Sequence, residues 1–175
     1  QLWVDHSKTV ERIQTWDLRA RFAVRSDEQG GQASLSWQRA PERQSIQLNG
    51  PLGRGVVRIV QDTRGARLVD AERREFSAAS AEELLHLYTG WQLPVANLDW
   101  WARGLPVPGS RARRELDAQG RLSRLNQQGW EVTYTDYVQV EQVGLPSRFI
   151  LARAATEWAP ELEVRFVIER WAGVK

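Results

Sequence analysis

The chain has 175 residues, 42% of them hydrophobic and 26% charged, which fits one globular domain over residues 1–175 rather than a disordered chain. Its 24 Lys and Arg against 22 Asp and Glu leave a formal charge of +2, with arginines scattered along the whole sequence, so a nucleic-acid face is not expected. Cysteine is absent, which excludes disulfides, thiolate nucleophiles and Cys-based metal sites, and no apolar run approaches the ~20 residues needed to cross a bilayer.

Methionine is absent even from position 1, so the numbering is expected to begin inside a longer gene product, after a segment with room for an export signal. Residues 5–16 place Val10, Ile13 and Trp16 at three-residue spacing, predicting a short amphipathic helix with Asp5 as its cap. Trp16, Leu18, Ala20, Phe22 and Val24 then alternate with polar residues, the period of a half-buried strand. Gly30-Gly31 offers a turn, and Ala33, Leu35 and Trp37 return as an antiparallel strand. Further short alternating runs pass through Ile46 and Leu48, residues 56–60 and residues 68–71, separated by turn residues at Pro41-Glu42, Asn49-Gly50-Pro51, Gly53 and Gly65. This spacing predicts a meandering sheet and not βαβ units.

The pattern changes at Ser80, which forms a capping box with Glu83 ahead of a helix that ends at Gly90 and carries Ala81, Leu84, Leu85 and Tyr88 on one face. A second helix starts at Pro94, carries Leu98 and Trp101, and stops at Gly104 before Pro106. After Gly120 strands resume, around Leu122 and Leu125, around Trp130, Val132 and Tyr134, around Phe149 and Leu151, and over residues 162–168. The fold class is therefore mainly β with helices: a large, curved, barrel-like antiparallel sheet whose concave face the helical insertion must cover as a plug or lid.

Catalytic chemistry is hard to place on this chain. His6 and His86 lie far apart and lack the i,i+4 pairing of helical zinc sites. The glycine-rich stretch from 50 to 55 lacks the Lys-Ser/Thr ending of a phosphate loop, no G-x-S-x-G occurs, and Glu82, Glu83, Asp62 and Asp70 read as solvated faces and turns. A metal, a cofactor and an enzymatic activity are accordingly not expected.

The nine tryptophans are the compositional oddity. Trp91, Trp100 and Trp101 gather with Tyr88 and Leu98 in the helical insertion, and residue patterns leave open whether they make packed core or a ligand cavity. If a cavity exists, its candidate lining is Phe22, Leu35, Trp37, Leu48, Tyr88, Trp91, Leu98 and Trp101. Leu52 is also singular, held between Pro51 and Gly53 at a turn where polar residues are usual; it reads either as an ordinary exposed leucine or as a wedge offered to a membrane or partner.

Several segments in order along nearly the whole chain resemble the LolB family: Trp16-Asp17-Leu18-Arg19-Ala20-Arg21-Phe22-Ala23-Val24, Leu35-Ser36-Trp37, Asn49-Gly50-Pro51-Leu52-Gly53, Leu87-Tyr88-Thr89-Gly90, Gly104-Leu105-Pro106, Trp130-Glu131-Val132-Thr133-Tyr134 with Tyr137, Leu145-Pro146 and the closing Trp171. The resemblance implies an open antiparallel β-barrel with a helical lid spanning residues 80–109. It also implies a receptor that takes acylated lipoproteins from the periplasmic carrier LolA and inserts them into the inner leaflet of the outer membrane, held there by an N-terminal lipidated Cys that this sequence lacks. On the family pattern, Pro51, Leu52 and Gly53 become the membrane-insertion loop, and a monomer is expected. The alternative is a periplasmic carrier of a small lipid or other hydrophobic ligand, on the same sort of barrel without a membrane-directed loop.

Overall fold

The computed structural model describes residues 1–27, 30–50 and 55–175. Its centre is an eleven-stranded antiparallel sheet, open rather than closed, with three helices. Helix α1 spans Leu2–Glu11. Six strands follow, β1 (Trp16–Arg25), β2 (Gly30–Ala40), β3 (Arg43–Asn49), β4 (Val56–Asp62), β5 (Gly65–Val69) and β6 (Glu75–Ala78). Helices α2 (Ala81–Thr89) and α3 (Val95–Trp101) come next, then β7 (Ala112–Leu116), β8 (Leu122–Gln127), β9 (Trp130–Val140), β10 (Val143–Arg153) and β11 (Leu162–Ala172).

The strand order is β6-β5-β4-β3-β2-β1-β11-β10-β9-β8-β7. The chain thus steps outward from β1 to one edge, passes through α2 and α3 to the other edge, and steps back until β11 pairs with β1. The connection between the two edge strands is the one that carries the helices, so they lie where a closed barrel would need further pairing.

Alternation explains the sheet's inner face. In β1 the buried residues are Trp16, Leu18, Ala20, Phe22 and Val24, with exposed residues between them from Arg19 onward. β2, β3, β4 and β5 add Leu35, Trp37, Ile46, Leu48, Val57, Ile59 and Leu68 to that face. The register between β1 and β11 slips once, at Arg19/Ala20, which puts two exposed residues, Glu169 and Arg170, in succession and still lets Trp171 turn inward. Without the slip, the two-residue period would carry Trp171 to the outer face.

Both edge strands were silent in the sequence. β7 is almost wholly exposed and β6 contributes no buried residue, so neither shows the apolar alternation that marks the inner strands. Each is instead fixed by its turn. The Asp70 carboxylate accepts the backbone N–H of Glu72 and Arg74 and the Arg74 Nε, at 3.0, 2.8 and 2.8 Å. Asp117 does the same for Gln119, Arg121 and the Arg121 Nε, at 2.9, 2.9 and 2.8 Å. These hydrogen bonds, opposing the effect of burial, hold both carboxyls below the usual aspartate pKa.

Some boundaries differ from those predicted. The first helix occupies Leu2–Glu11 rather than 5–16, and Asp5 sits in its first turn, taking the Gln1 Nε2 at 3.0 Å, instead of capping it. Trp16 belongs to β1, because its indole packs into the core beside Trp37 and Trp171. Tertiary packing, not helical spacing, claims that residue. The strand expected over 68–71 runs Gly65–Val69, since Asp70 opens the turn described above. Pro94 stands as N-cap, one residue before α3 begins.

α1 is seated against the β7–β8 turn. A Cβ at Gly120 would fall 2.5 Å from Leu2 Cβ and 2.8 Å from the Trp3 backbone nitrogen, and Gly120 has φ +76°. Gly120→Ala is therefore expected to push α1 off the sheet and destabilise the protein by roughly 1–3 kcal/mol, the usual range for overpacking. Thermal unfolding measures this; an unchanged midpoint would mean that α1 does not seat on the turn.

Candidate functional site

The floor beneath the helices is a row of aromatic rings set by strand register. Phe22 of β1 pairs with Phe166 of β11, Phe166 with Phe149 of β10, and Phe149 with Tyr134 of β9. The ring centroids are 5.5, 4.8 and 5.8 Å apart along that row, with the first two pairs stacked. Trp91, in the link between α2 and α3, meets Phe22 edge-on at 5.7 Å.

Between floor and helices is an apolar cavity of about 40 Å³. Its walls are Leu18, Phe22, Leu35, Trp37, Ile46, Leu48, Phe149, Phe166 and Ile168 from the sheet, and Leu85, Leu93, Val95, Leu98 and Ala102 from the helical insertion. Five of the sequence candidates, Phe22, Leu35, Trp37, Leu48 and Leu98, come together here. Tyr88, Trp91 and Trp101 do not line it. Tyr88 is half-buried against Phe76 at the outer side of α2, and Trp91 and Trp101 are fully buried packing. Phe149, Phe166 and Ile168 were missed; their strands showed alternation, but which strands lie beside β1 is not written in a local pattern.

The cavity is narrow. Ligand pockets usually offer ~300–1,000 Å³, and a hollow of this size holds little more than a few water-sized groups. What keeps it narrow differs between the two helices. α3 is tied down by a set of polar contacts. The Trp101 Nε1 donates to Gln127 Oε1 at 3.0 Å, and the same oxygen accepts the Val107 N–H at 2.9 Å. The Gln127 Nε2 donates to the carbonyls of Val107 and Ser110, at 2.8 and 3.2 Å. The buried Tyr134 hydroxyl donates to the Trp101 carbonyl at 2.7 Å, and burial raises its pKa well above the usual tyrosine value.

Arg103 and Arg39 complete the anchorage. Arg103 is buried, donates to the Asp99 and Ile13 carbonyls at 2.9 Å each, and lies over the rings of Trp16 and Trp100 at 4.9 and 4.8 Å. Desolvation lowers its pKa, although Asp99 opposes the shift. Arg39 makes a two-pronged bond to the Asp99 carboxylate at 3.0 and 3.1 Å and donates to the Gln14 carbonyl at 2.7 Å.

α2 is held more lightly. The predicted capping box is present: the Ser80 Oγ accepts from the Glu83 N–H and Glu83 Oε2 accepts from the Ala79 N–H, both at 3.2 Å. Beyond its own cap, one backbone group, the Ala81 N–H, is held by the sheet through Gln61 Oε1 at 2.8 Å, and Glu82 reaches the Ala96 N–H at 3.3 Å. Apolar contact through Ala81, Leu84 and Leu85 adds to this, and Tyr88 meets Phe76 of β6 edge-on at 6.2 Å. The helix ends at Gly90, φ +77°, where the left-handed turn favours glycine.

Other sequence candidates remain apart. His6 is on α1 beside Arg121 and Asp117, and burial lowers its pKa, while His86 is on α2. Among the described residues no group of three or more His, Cys, Asp or Glu is placed to hold a metal ion. Pro51, Leu52 and Gly53 lie outside the described residues. No described helix is long and apolar enough to cross a membrane.

Comparison with known proteins agrees with this geometry. A family model described as Outer membrane lipoprotein LolB matches residues 14–171. A relative from Stutzerimonas stutzeri, named outer-membrane lipoprotein LolB, is 36% identical over 169 residues, covering 97% of this chain and 79% of its own. One from Ectopseudomonas mendocina with the same name is 37% identical over 169 residues, covering 97% and 80%. Among solved structures, a LolA superfamily protein from Nitrosomonas europaea superposes with a TM-score of 0.59 at 7% identity, over 97% of this chain and 90% of that one. A DUF1329 family protein from Desulfovibrio piger gives 0.62 at 8% identity, over 99% and 92%. At such identities the likeness is one of fold alone.

Gln127 is the most connected side chain of the anchorage, so Gln127→Ala is expected to loosen α3 and the segment after it. The expected loss is about 2–4 kcal/mol, since each buried group left unpaired costs roughly 1–3 kcal/mol. Chemical denaturation with Trp101 emission as reporter checks this; a loss below about 1 kcal/mol would mean that apolar contact alone fixes α3.

Proposed function

The chain belongs to the LolB family of outer-membrane lipoproteins, and from that premise we propose that it takes acylated lipoproteins from a LolA-like periplasmic carrier and inserts them into the inner leaflet of the outer membrane. Its coarser role, in outer-membrane lipoprotein localisation, follows from the family and the fold. The observation that supports the finer reading best is the cavity: fourteen apolar side chains, drawn from both sheet and helices, facing one another with room left between them.

In this reading the narrow cavity is the resting state, and α2 moves when acyl chains enter. Moving it exposes Leu84 and Leu85, at roughly 1.5–3 kcal/mol each, about 3–6 kcal/mol together, whereas sheltering eight methylenes gains about 6 kcal/mol at ~0.8 kcal/mol apiece. Eight methylenes therefore offset opening, and each further one favours entry. α3, held by Gln127, Tyr134, Arg39 and Arg103, stays as the fixed wall. No catalytic group is needed, because cargo passes along a series of increasing affinities, tenfold for every ~1.4 kcal/mol. The protein acts as a monomer, held at the outer membrane by a lipid anchor, as the outer-membrane lipoproteins of its family are.

Leu48 tests the cavity. Leu48→Phe places a larger ring in the void, so it should lower the affinity for a long-chain fatty acid about tenfold while leaving the thermal midpoint unchanged or raised, as filling an apolar void does. The assay is a titration followed by tryptophan emission, with Trp37 lining the cavity as reporter. A parent protein that binds no fatty acid, or a variant that binds it equally well, would overturn the acyl reading.

Leu52 tests insertion, and its role rests on the sequence. Proline restricts its own φ, and a leucine side chain is apolar enough to enter the acyl boundary of a bilayer. Leu52→Glu should accept lipoprotein from the carrier normally and deliver to liposomes at least tenfold more slowly, because a carboxylate resists burial in lipid. A two-stage transfer assay separates the steps, with circular dichroism as the control for folding. Equal delivery would favour a carrier of hydrophobic ligands without a membrane-directed loop.

A further inference from the structure

Beside the lid lies a second concavity of about 450 Å³, polar where the acyl cavity is apolar. One wall is made by α2, α3 and the link between them, the other by Trp130 at the start of β9 and Arg153 at the end of β10. Leu93 lines both hollows, so groove and cavity share a wall at the lid.

Most polar groups of the groove are already engaged. Glu82 and Glu83 accept backbone N–H groups of Ala96 and Ala79, and the Asn97 Nδ2 donates to Gln128 Oε1 at 3.0 Å. Arg153 is a cation of the groove that is only partly engaged. Its guanidinium lies over the Trp130 ring at 5.1 Å, its Nη1 reaches Gln92 Oε1 only at 3.4 Å, and its Nη2 donates to the Pro160 carbonyl at 3.2 Å. The buried Nε has no partner. Each Nη carries two N–H groups and makes one such bond, so one N–H on each is left for a ligand, and burial lowers the pKa.

A cation with spare donors, set against an apolar cavity, suits a ligand that pairs hydrocarbon with carbonyl oxygens. Glu82 and Glu83 in the same groove disfavour a phosphate, whose charge they would repel. We propose that this groove holds the cysteine end of an acylated lipoprotein, the Arg153 guanidinium and the Gln92 amide donating to its first peptide carbonyls while the acyl chains occupy the cavity. This rests on the acyl reading above and adds recognition to it. Shelter alone, or contact with ester carbonyls, does not distinguish a lipoprotein from any other glycerolipid; a groove at the mouth that binds peptide carbonyls does.

The experiment measures three soluble ligands with the same acyl chains against the full chain by calorimetry: dioctanoylglycerol, dioctanoyl phosphatidic acid, and a pentapeptide whose N-acetylated N-terminal cysteine carries an S-dioctanoylglyceryl group. The lipopeptide is expected to bind about tenfold more tightly than dioctanoylglycerol, the scale of one or two charge-assisted hydrogen bonds, and the phosphatidic acid no more tightly. Arg153→Met keeps an apolar stem over Trp130 and removes the donors; it should lower the ratio of lipopeptide to dioctanoylglycerol affinity at least fivefold, and Gln92→Ala should lower it in the same direction. Because the readout is a ratio within one protein, partial loss of fold does not imitate it. If dioctanoylglycerol binds and the lipopeptide gains nothing over it, or the ratio survives both substitutions, the groove proposal is overturned and the acyl cavity stands. Tighter binding of phosphatidic acid than of lipopeptide overturns it in favour of an anionic headgroup site. If none of the three binds, the cavity reading falls and takes this one with it.

Discussion

The constraint from which the rest follows is that the sheet has one continuous apolar face and only a short helical insertion with which to cover it. Phe22, Phe166, Phe149 and Tyr134 are brought into one row by register across four neighbouring strands. An exposed apolar face of this extent would aggregate. The insertion must therefore lie over it, and its two helices, of nine and seven residues, cover the face without filling all the space above it. A void lined entirely by hydrocarbon and aromatic rings is a weak point for stability and a ready acceptor for hydrocarbon.

The cover is asymmetric, and that asymmetry supports a division of labour. Around α3, buried amide, hydroxyl and guanidinium groups meet specific carbonyls, and Arg103 is clasped between Trp16 and Trp100, which binds the lid to the first residue of β1. Contacts of that kind need defined geometry and lose most of their value when it shifts. α2 rests on the sheet mainly through Ala81, Leu84 and Leu85, apolar contacts that can be remade against another apolar surface, such as an acyl chain. In the proposed reading, polar anchorage on one helix and exchangeable packing on the other would let a single connection serve as wall and door.

The edges impose the remaining requirement. A sheet left open presents unpaired backbone at β6 and β7, and both strands are short, carry exposed charged residues and are closed by an Asp turn that takes an Arg four residues on. The carboxylates at Asp70 and Asp117 look dispensable in a list of surface charges. In the fold each organises the hairpin that ends the sheet.

The sequence determined the inner face of the sheet, because a period of two assigns every alternate residue to one side: Phe22, Leu35, Trp37 and Leu48 could be named as facing inward before any partner strand was known, and all four line the cavity. It also determined the capping box at Ser80, the glycine stop at Gly90 and, through ordered segments spread along the chain, the family. What it could not determine is which apolar residues meet empty space and which meet each other. Trp91 and Trp101 have the same composition signal as Trp37, yet they are spent on packing Phe22 and on Trp130 and Gln127. Arg103 and Gln127 gave no signal in the sequence reading, being polar residues whose partners include ones 90 and 26 residues away. Strand order, the closure of β11 on β1 and the placement of Phe149, Phe166 and Ile168 were decided by tertiary structure alone, because pairing between strands distant in sequence depends on how the whole apolar face is enclosed and leaves no trace in the pattern of any one of them.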